Sequence, residues 1–381
     1  MLVDFLSPAR ILFGPGCSDR IGQEVARLGK KPLIVTGKNS LTASGNIDRI
    51  LQPLKYLNIQ PVFFMDVPPE PTAATVDAVR ETAQQTGCDL IVGVGGGSVL
   101  DTAKAAAGLF REDAPAQEYL RGKAATAPRL PWIAVPTTAG SGSEVTDNAV
   151  LIDPEQKRKS SLRNEFWIAD TAIVDPVFTM SMPKQLTATT GMDALAHAVE
   201  SYTSRWANPY SSALSQAAAV LIIQNIYSAY DKGRKEFREK MMLASLLAGL
   251  AINNVRAGAA HALAHPIGVR YGLRHGLVCA VLLPYVMEYN LPLVEHKYAQ
   301  LAYAANLAKP DTPGEEAAQR LIKYVRLAQK KLGIPPRLGE IGLKREDIRE
   351  IAAQALDSAS MLANPRQARV EDLAEILEKN L

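Results

Sequence analysis

The chain reads as an α/β protein with an N-terminal doubly wound, Rossmann-like domain on a parallel sheet, residues 1–180, and an all-helical C-terminal domain, residues 181–381. Three observations lead there. Short, continuous apolar runs bounded by Pro or Gly alternate with helical patterns through the first half, as in βα units. Beyond IVDPVFTMSMPKQL the texture shifts to Ala, Leu, Gln, Glu and Lys with loops marked by Pro or Gly. A length of 381 residues suits two domains of roughly 100–200 residues each.

The elements follow in order. PLIVTG (32–37), PVFFMDV (61–67), DLIVGVGGG (89–97) and PWIAVPTT (131–138) are apolar without alternation, the pattern of strands covered on both faces in a parallel sheet. Between the second and third, Thr72 to Gly87 has helical spacing, with a Thr as N-cap and a Gly as stop. From Gln185 onward only short β-branched runs remain, such as Val220 to Ile223. The uncharged stretch Trp206 to Tyr230 is long enough to span a bilayer, but it carries Pro209, Ser211, Ser212, Ser215, Gln216, Gln224 and Asn225 and reads as a buried helix. There is no internal repeat, low-complexity tract or long linker.

Charge and cysteines exclude several classes. Lys and Arg total 42 against 39 Asp and Glu, with no basic block, which argues against nucleic acid as a partner. The three cysteines, Cys17, Cys88 and Cys279, are far apart and odd in number, so neither a disulfide framework nor a thiolate metal site is expected. A reducing, cytoplasmic setting fits. The start MLVDFLSPAR has an acid at Asp4 and no apolar h-region, unlike a secretory signal.

Two loops could hold a nucleotide. After DLIVGV come Gly95, Gly96, Gly97 and Ser98, then the Ala-rich helical run VLDTAKAAAGLF. A strand, a side-chain-free turn and a helix N-terminus present orphan N–H groups and a helix dipole to an anion. The spacing is not GxGxxG, and a tight turn that binds nothing has the same local pattern. The second loop, Pro136 to Thr146, follows another strand and carries several hydroxyls at the edge where open α/β sheets bind ligands. A solvated loop would read alike; two such loops together favour a nucleotide.

The histidines cluster. Asp193 and His197 lie four apart in TTGMDALAHAVESY, so both share a helix face; His261 and His265 repeat the spacing in AAHALAHPIG, and His275 follows in GLRHG, on an expected loop. Each alone has the alternative of a hydrogen-bonded structural role. Four of the five His, however, fall between 197 and 275 in segments rich in Ala, Leu and Gly, where an unpaired buried imidazole costs stability. Imidazole with carboxylate suits a borderline divalent ion such as Zn(II) or Fe(II), whereas Ca or Mg prefers oxygens. His296, among charges in LVEHKYAQ, reads as solvated.

GGGSVLDTAK, PTTAGSGSEVT, GMDALAHAVE and HALAHPIG with RHG resemble, in order and over nearly the whole chain, the iron-containing (group III) alcohol dehydrogenases. The resemblance implies a dehydroquinate synthase-like architecture with a divalent metal in the cleft between two domains. It implies Asp193, His197, His261 and His275 as metal ligands and His265 as the catalytic histidine beside nicotinamide and substrate. Gly95, Gly96, Gly97, Ser98 and Asp101 would surround the pyrophosphate; Thr137, Thr138, Ser141 and Thr146 would line the cofactor; Lys159 would reach it and Asn148 would face the substrate. The metal identity, Fe(II) with Zn(II) as the competitor, comes from the resemblance alone, and three imidazoles with one carboxylate accept Zn(II) at least as readily.

In NAD-preferring relatives the strand that reads LIVTG here ends in Asp. This chain has Gly37 there, then Lys38, Asn39 and Ser40. Loss of the acid makes room for a 2′-phosphate and Lys38 offers it a cation, so NADP(H) is expected over NAD(H); a plain GKNS turn is the alternative. The expected function is reversible hydride transfer between NAD(P)(H) and a small primary alcohol or aldehyde. The runner-up is a metal-dependent lyase of the dehydroquinate synthase type, whose site needs many bases; here Arg256, Arg270 and Arg274 are the nearby ones. A non-catalytic metal- or nucleotide-binding regulator is the third reading. Maleylacetate reductases lack the full ligand set that this chain retains. No membrane partner is expected, and Val3 to Gly14 could pair across a homodimer or larger homo-oligomer.

Overall fold

The computed structural model describes residues 3–38, 40–156 and 158–381. The chain divides into two compact units, Leu6–Ser181 and Met182–Leu381, the latter joined by the described residues before Leu6. The first, the α/β unit, runs β1 (Arg10–Phe13), α1 (Ile21–Leu28), β2 (Pro32–Gly37), α2 (Ser40–Ala43), α3 (Ile47–Tyr56), β3 (Val62–Val67), α4 (Ala73–Thr86), β4 (Leu90–Gly95), α5 (Gly97–Gly108), α6 (Ala116–Leu120), β5 (Trp132–Pro136), β6 (Asn148–Asp153), β7 (Arg158–Arg163) and β8 (Thr171–Val174).

Six strands form one sheet in the order β1-β8-β5-β4-β2-β3, and every pairing in it is parallel. Residues along β2 alternate between faces: Leu33 and Val35 join Ile91, Trp132 and Ala134 in one core, while Ile34 joins Val92, Val94, Ile133 and Val135 in the other. Burial on both faces explains the continuous apolarity of the central strands. The run PVFFMDV departs from that expectation: β3 lies at the sheet edge, and most of it is only half-buried. Helix α4 starts as its sequence predicts, with Thr72 accepting from the Thr75 N–H and Gly87 closing it at φ 65°. A separate antiparallel hairpin, β6 with β7, and the short strand β8 have no clear sequence signal.

The order matters for function. From β2 the chain moves outward to β3, then returns to place β4 on the other side of β2 and continues to β5. The C-terminal ends of β2 and β4 therefore flank the point where the winding reverses, the crevice in which open α/β sheets bind ligands. Register Val35 to Gly93 brings the ends at Gly37 and Gly95 side by side.

The second unit comprises α7 (Lys184–Thr203), α8 (Pro209–Asp231), α9 (Lys235–Val255), α10 (Ala259–Tyr271), α11 (His275–Ala304), α12 (Gly314–Lys331), α13 (Ile348–Leu356) and α14 (Val370–Glu378), with no strand among its described residues. The uncharged stretch 206–230 falls largely in α8, which starts at an Asn208 cap. Taken singly, α11 is the one helix among the described residues long and apolar enough to cross a bilayer; 67% of its apolar window is buried inside the protein, and it is a core helix. The pair α9 and α10 passes the same test only as one span, and it is bent by 100°.

Candidate active site: a metal centre and two nucleotide loops

Helices α7, α10 and α11 bring the metal candidates together. Asp193 lies on α7, His261 on α10, and His275 opens α11. His275 thus starts a helix rather than lying in a loop: Gly272 ends α10 at φ 65°, and the apolar run after His275 begins a new helix at once. Gly276 permits the approach, because a Cβ there would lie 2.9 Å from the Thr189 carbonyl oxygen and 3.3 Å from Asp193 Cβ.

The Asp193 Oδ1 and His261 Nε2 atoms are buried without a hydrogen-bond partner, 3.9 Å apart. His275 Nε2 is also 3.9 Å from that oxygen. Ligands at about 2.0–2.2 Å from one ion sit about 3–4 Å from each other, so these atoms fit a shared divalent cation, and orphaned buried polar atoms need such a partner. Asp193, His261 and His275 form the metal site.

His197, one turn along α7, stacks its ring on that of His261 with centroids 4.5 Å apart. The His265 ring lies 5.2 Å from that of His275. Cys279 was not expected here: its Sγ is 3.4 Å from His275 Nε2, and it shares the cluster with Asp193, His261 and His275. Its position one helical turn after His275 is the signal that cysteine spacing alone does not carry.

Glu200 is the second residue missed. It accepts from His261 Nδ1 at 2.5 Å, from the Gly258 N–H at 2.9 Å and from the Ala260 N–H at 2.7 Å. It therefore caps α10 and keeps the imidazole proton on Nδ1, leaving Nε2 to a metal, the outer-shell arrangement that orients ligating histidines. Burial opposes charge on both partners, yet the contacts win: Glu200 lies below the usual carboxylate range and His261 well above its ordinary value, so an ion bound at Nε2 takes the place of a proton. Burial pushes the Cys279 thiol up to about 12, so Cys279 stands beside His261 as a neutral thiol at neutral pH. The stripe Asp193, His197, Glu200, at i, i+4 and i+7 of one helix, is the sequence signal that locates it.

In the α/β unit, Gly95, Gly96, Gly97 and Ser98 carry the chain from β4 into α5. The second loop packs closely on Gly96 and Gly97, where a Cβ would lie 3.3 Å from Thr138 Oγ1 and 3.0 Å from Ser141 Oγ, respectively. Ser98 donates its hydroxyl to the Pro69 carbonyl. Asp101 accepts from Ser143 Oγ at 2.5 Å and from the Val150 N–H at 2.9 Å. Thr137, Thr138 and Ser141 are half-buried and Thr146 is buried. Lys159 pairs with Glu70 at 2.7 Å. Asn148 opens β6, and its carbonyl accepts from Lys104.

Lys38 Nζ sits 4.0 Å from Asp66 Oδ1, both side chains exposed, at the end of β2 where Gly37 is half-buried. Ser40 opens α2, and Asn39 lies outside the described residues. Burial pulls Lys104 down to about 8 against Asp101, Asp147 and Glu144, and pushes Glu144 up to about 7.

Comparison with known proteins agrees with this geometry. The family model for iron-containing alcohol dehydrogenase matches residues 8–176, and that for the C-terminal part of the Fe-containing alcohol dehydrogenase family matches residues 187–381. The chain belongs to the iron-containing alcohol dehydrogenase family. It is 36% identical over 381 residues to a 1,3-propanediol dehydrogenase of Citrobacter freundii, covering 99% of this chain and 98% of that one. It is 35% identical over 368 residues to a lactaldehyde reductase of Escherichia coli (strain K12), covering 96% of each. A solved 1,3-propanediol oxidoreductase superposes with a TM-score of 0.96 at 35% identity, covering 100% of both chains. Like its family, the chain is an oxidoreductase of alcohols and aldehydes that uses a nicotinamide cofactor and a metal ion. Two of the three basic residues near the site are otherwise engaged: Arg270 pairs with Asp347 and Glu350, and Arg256 lies over the Trp206 ring.

Proposed function

We propose that the protein interconverts a small primary alcohol and its aldehyde, with NADP(H) preferred over NAD(H). The observation that carries the reading is the pair of orphaned atoms, Asp193 Oδ1 and His261 Nε2, with the His261 tautomer held by Glu200. Asp193, His261 and His275 hold the ion together with His197, and Fe(II) or Zn(II) suits that donor set. Once bound, the ion supplies Lewis acidity toward the substrate oxygen, and the nicotinamide gives or takes the hydride.

The chain's own residues do the rest. The first-turn N–H groups of α5, at Gly97 and Ser98, lack intrahelical acceptors and receive the pyrophosphate, with Gly95, Gly96 and Asp101 shaping the turn around it. Thr137, Thr138, Ser141, Thr146 and Lys159 line the remaining cofactor, and Asn148 faces the substrate. His265 carries the alcohol proton away during oxidation and returns it during reduction. Gly37, Lys38, Asn39 and Ser40 receive the 2′-phosphate, with Asp66 beside Lys38 weakening the preference rather than reversing it. The names of two relatives, a propanediol dehydrogenase and a lactaldehyde reductase, support short substrates. We infer a cytoplasmic homodimer or larger homo-oligomer, on the basis of three free cysteines and the edge position of β1.

Metal-reconstituted protein assayed with short aldehydes, following NADPH and NADH consumption at saturating aldehyde, tests this directly. The expected result is turnover with a kcat/KM for NADPH above that for NADH. The reverse order overturns the role of Gly37 and Lys38, and no aldehyde-dependent consumption of either cofactor overturns the activity.

A further inference from the structure

Lys104 is completely buried in the α/β unit, seven residues after Gly97 and so on the same face of α5. Its ammonium donates to Ser143 Oγ at 3.1 Å, Thr146 Oγ1 at 3.0 Å and the Asn148 carbonyl at 2.6 Å. An ammonium has three protons, and these three acceptors, all on the stretch from the second loop into β6, use them. Asp101, one turn earlier on α5, has an oxygen 3.9 Å from the same Nζ and holds Ser143 from the other side. Nearer the helix start, Gly96 and Gly97 let Thr138 and Ser141 close on the turn. The phosphate turn and the second loop are therefore one assembly, touching at the glycines and clasped below by a buried charge.

We propose that Lys104 is the positioning residue for the nucleotide site: it sets the second loop against α5, and cofactor affinity depends on it although it makes no contact with cofactor. The inference rests on the assignment of these two loops to the cofactor. Without the ammonium, two hydroxyls and a carbonyl lose their donor and the Asp101 carboxylate is left buried without its cation, so the loop relaxes away from the helix. The metal site, built from other helices, is untouched by this change.

The test compares wild type with Lys104→Met, which keeps the length and removes the charge. NADPH and NADH dissociation constants are read by fluorescence titration, beside bound metal. The expected result is a rise of about tenfold or more in both cofactor constants, with metal content unchanged; a general structural lesion does not produce that split. A folded Lys104→Met whose cofactor constants stay within about twofold of wild type overturns the proposal. Should that variant fail to fold, Ser143→Ala opens the clasp while keeping both charges, and an unchanged cofactor constant there overturns it equally. Wild type that binds neither NADPH nor NADH overturns the loop assignment and this inference together, whereas the Lys104→Met result overturns the inference alone.

Discussion

The metal centre and the two loops proposed for the nucleotide are built to hold a charged group in opposite ways. At the metal centre, side-chain atoms on rigid helices are left without partners: Asp193 Oδ1 and His261 Nε2. In the nucleotide loops the polar side chains already bond one another or the backbone: Ser98 to Pro69, Asp101 to Ser143 and Val150, Lys159 to Glu70. On the proposed reading, recognition there is left largely to backbone N–H groups at a helix start. The lesson is that single side chains decide the first site, whereas the second depends on the loops keeping their shape.

The largest effect expected from that contrast is at His261. His261→Ala removes a ligand and should abolish both metal binding and turnover, while cofactor binding by fluorescence titration stays near wild type. His265→Ala should keep its metal and lose about 10²–10⁴-fold in kcat. Equal metal loss in the two variants, measured by elemental analysis, would break the division of roles.

A step down in size is Glu200→Gln. It keeps the shape but replaces the carboxylate that fixes the His261 tautomer, and it should weaken metal affinity by about 10–100-fold. Competition with a chelator measures this, and wild-type affinity would mean that helix packing alone orients the ring.

The smallest effect is in the nucleotide unit and concerns stability. Burial raises the Glu144 carboxyl from 4.5 to about 7, so between those values the folded protein binds more protons than the unfolded chain. This group's contribution to stability therefore falls as pH rises from 4.5 to 7 and is level outside that window. Glu144→Gln removes the penalty, and it should be more stable than wild type at pH 7.5 by about 1–3 kcal/mol, with the gain gone near pH 4. Urea melts at both pH values measure it; a gain independent of pH would assign the effect to packing.

Much of this architecture was legible because its signals are local. Apolar runs at 32–37 and 89–97 bounded by Pro or Gly specify buried strands, and i, i+4 pairs specify which side chains share a helix face. Strand β8, only four residues long, and the polar hairpin strand RKSSLR of β7 carry too little pattern to be distinguished from loop. The sequence places His275 on a loop in GLRHG, because the immediate restart of a helix after Gly272 depends on apolar residues finding a core.

The sequence by itself determined the family resemblance, the two textures of the chain and the histidine and carboxylate pairs, because each rests on residue type and spacing along one segment. Only the tertiary structure decided that β4 returns beside β2, so that Gly37 and Gly95 end at one crevice. It alone brought Cys279 and Glu200 to the metal centre and buried Lys104 against Ser143, Thr146 and Asn148. Those facts depend on contacts between segments tens of residues apart, where geometry and burial, rather than local pattern, select the partner of each charge.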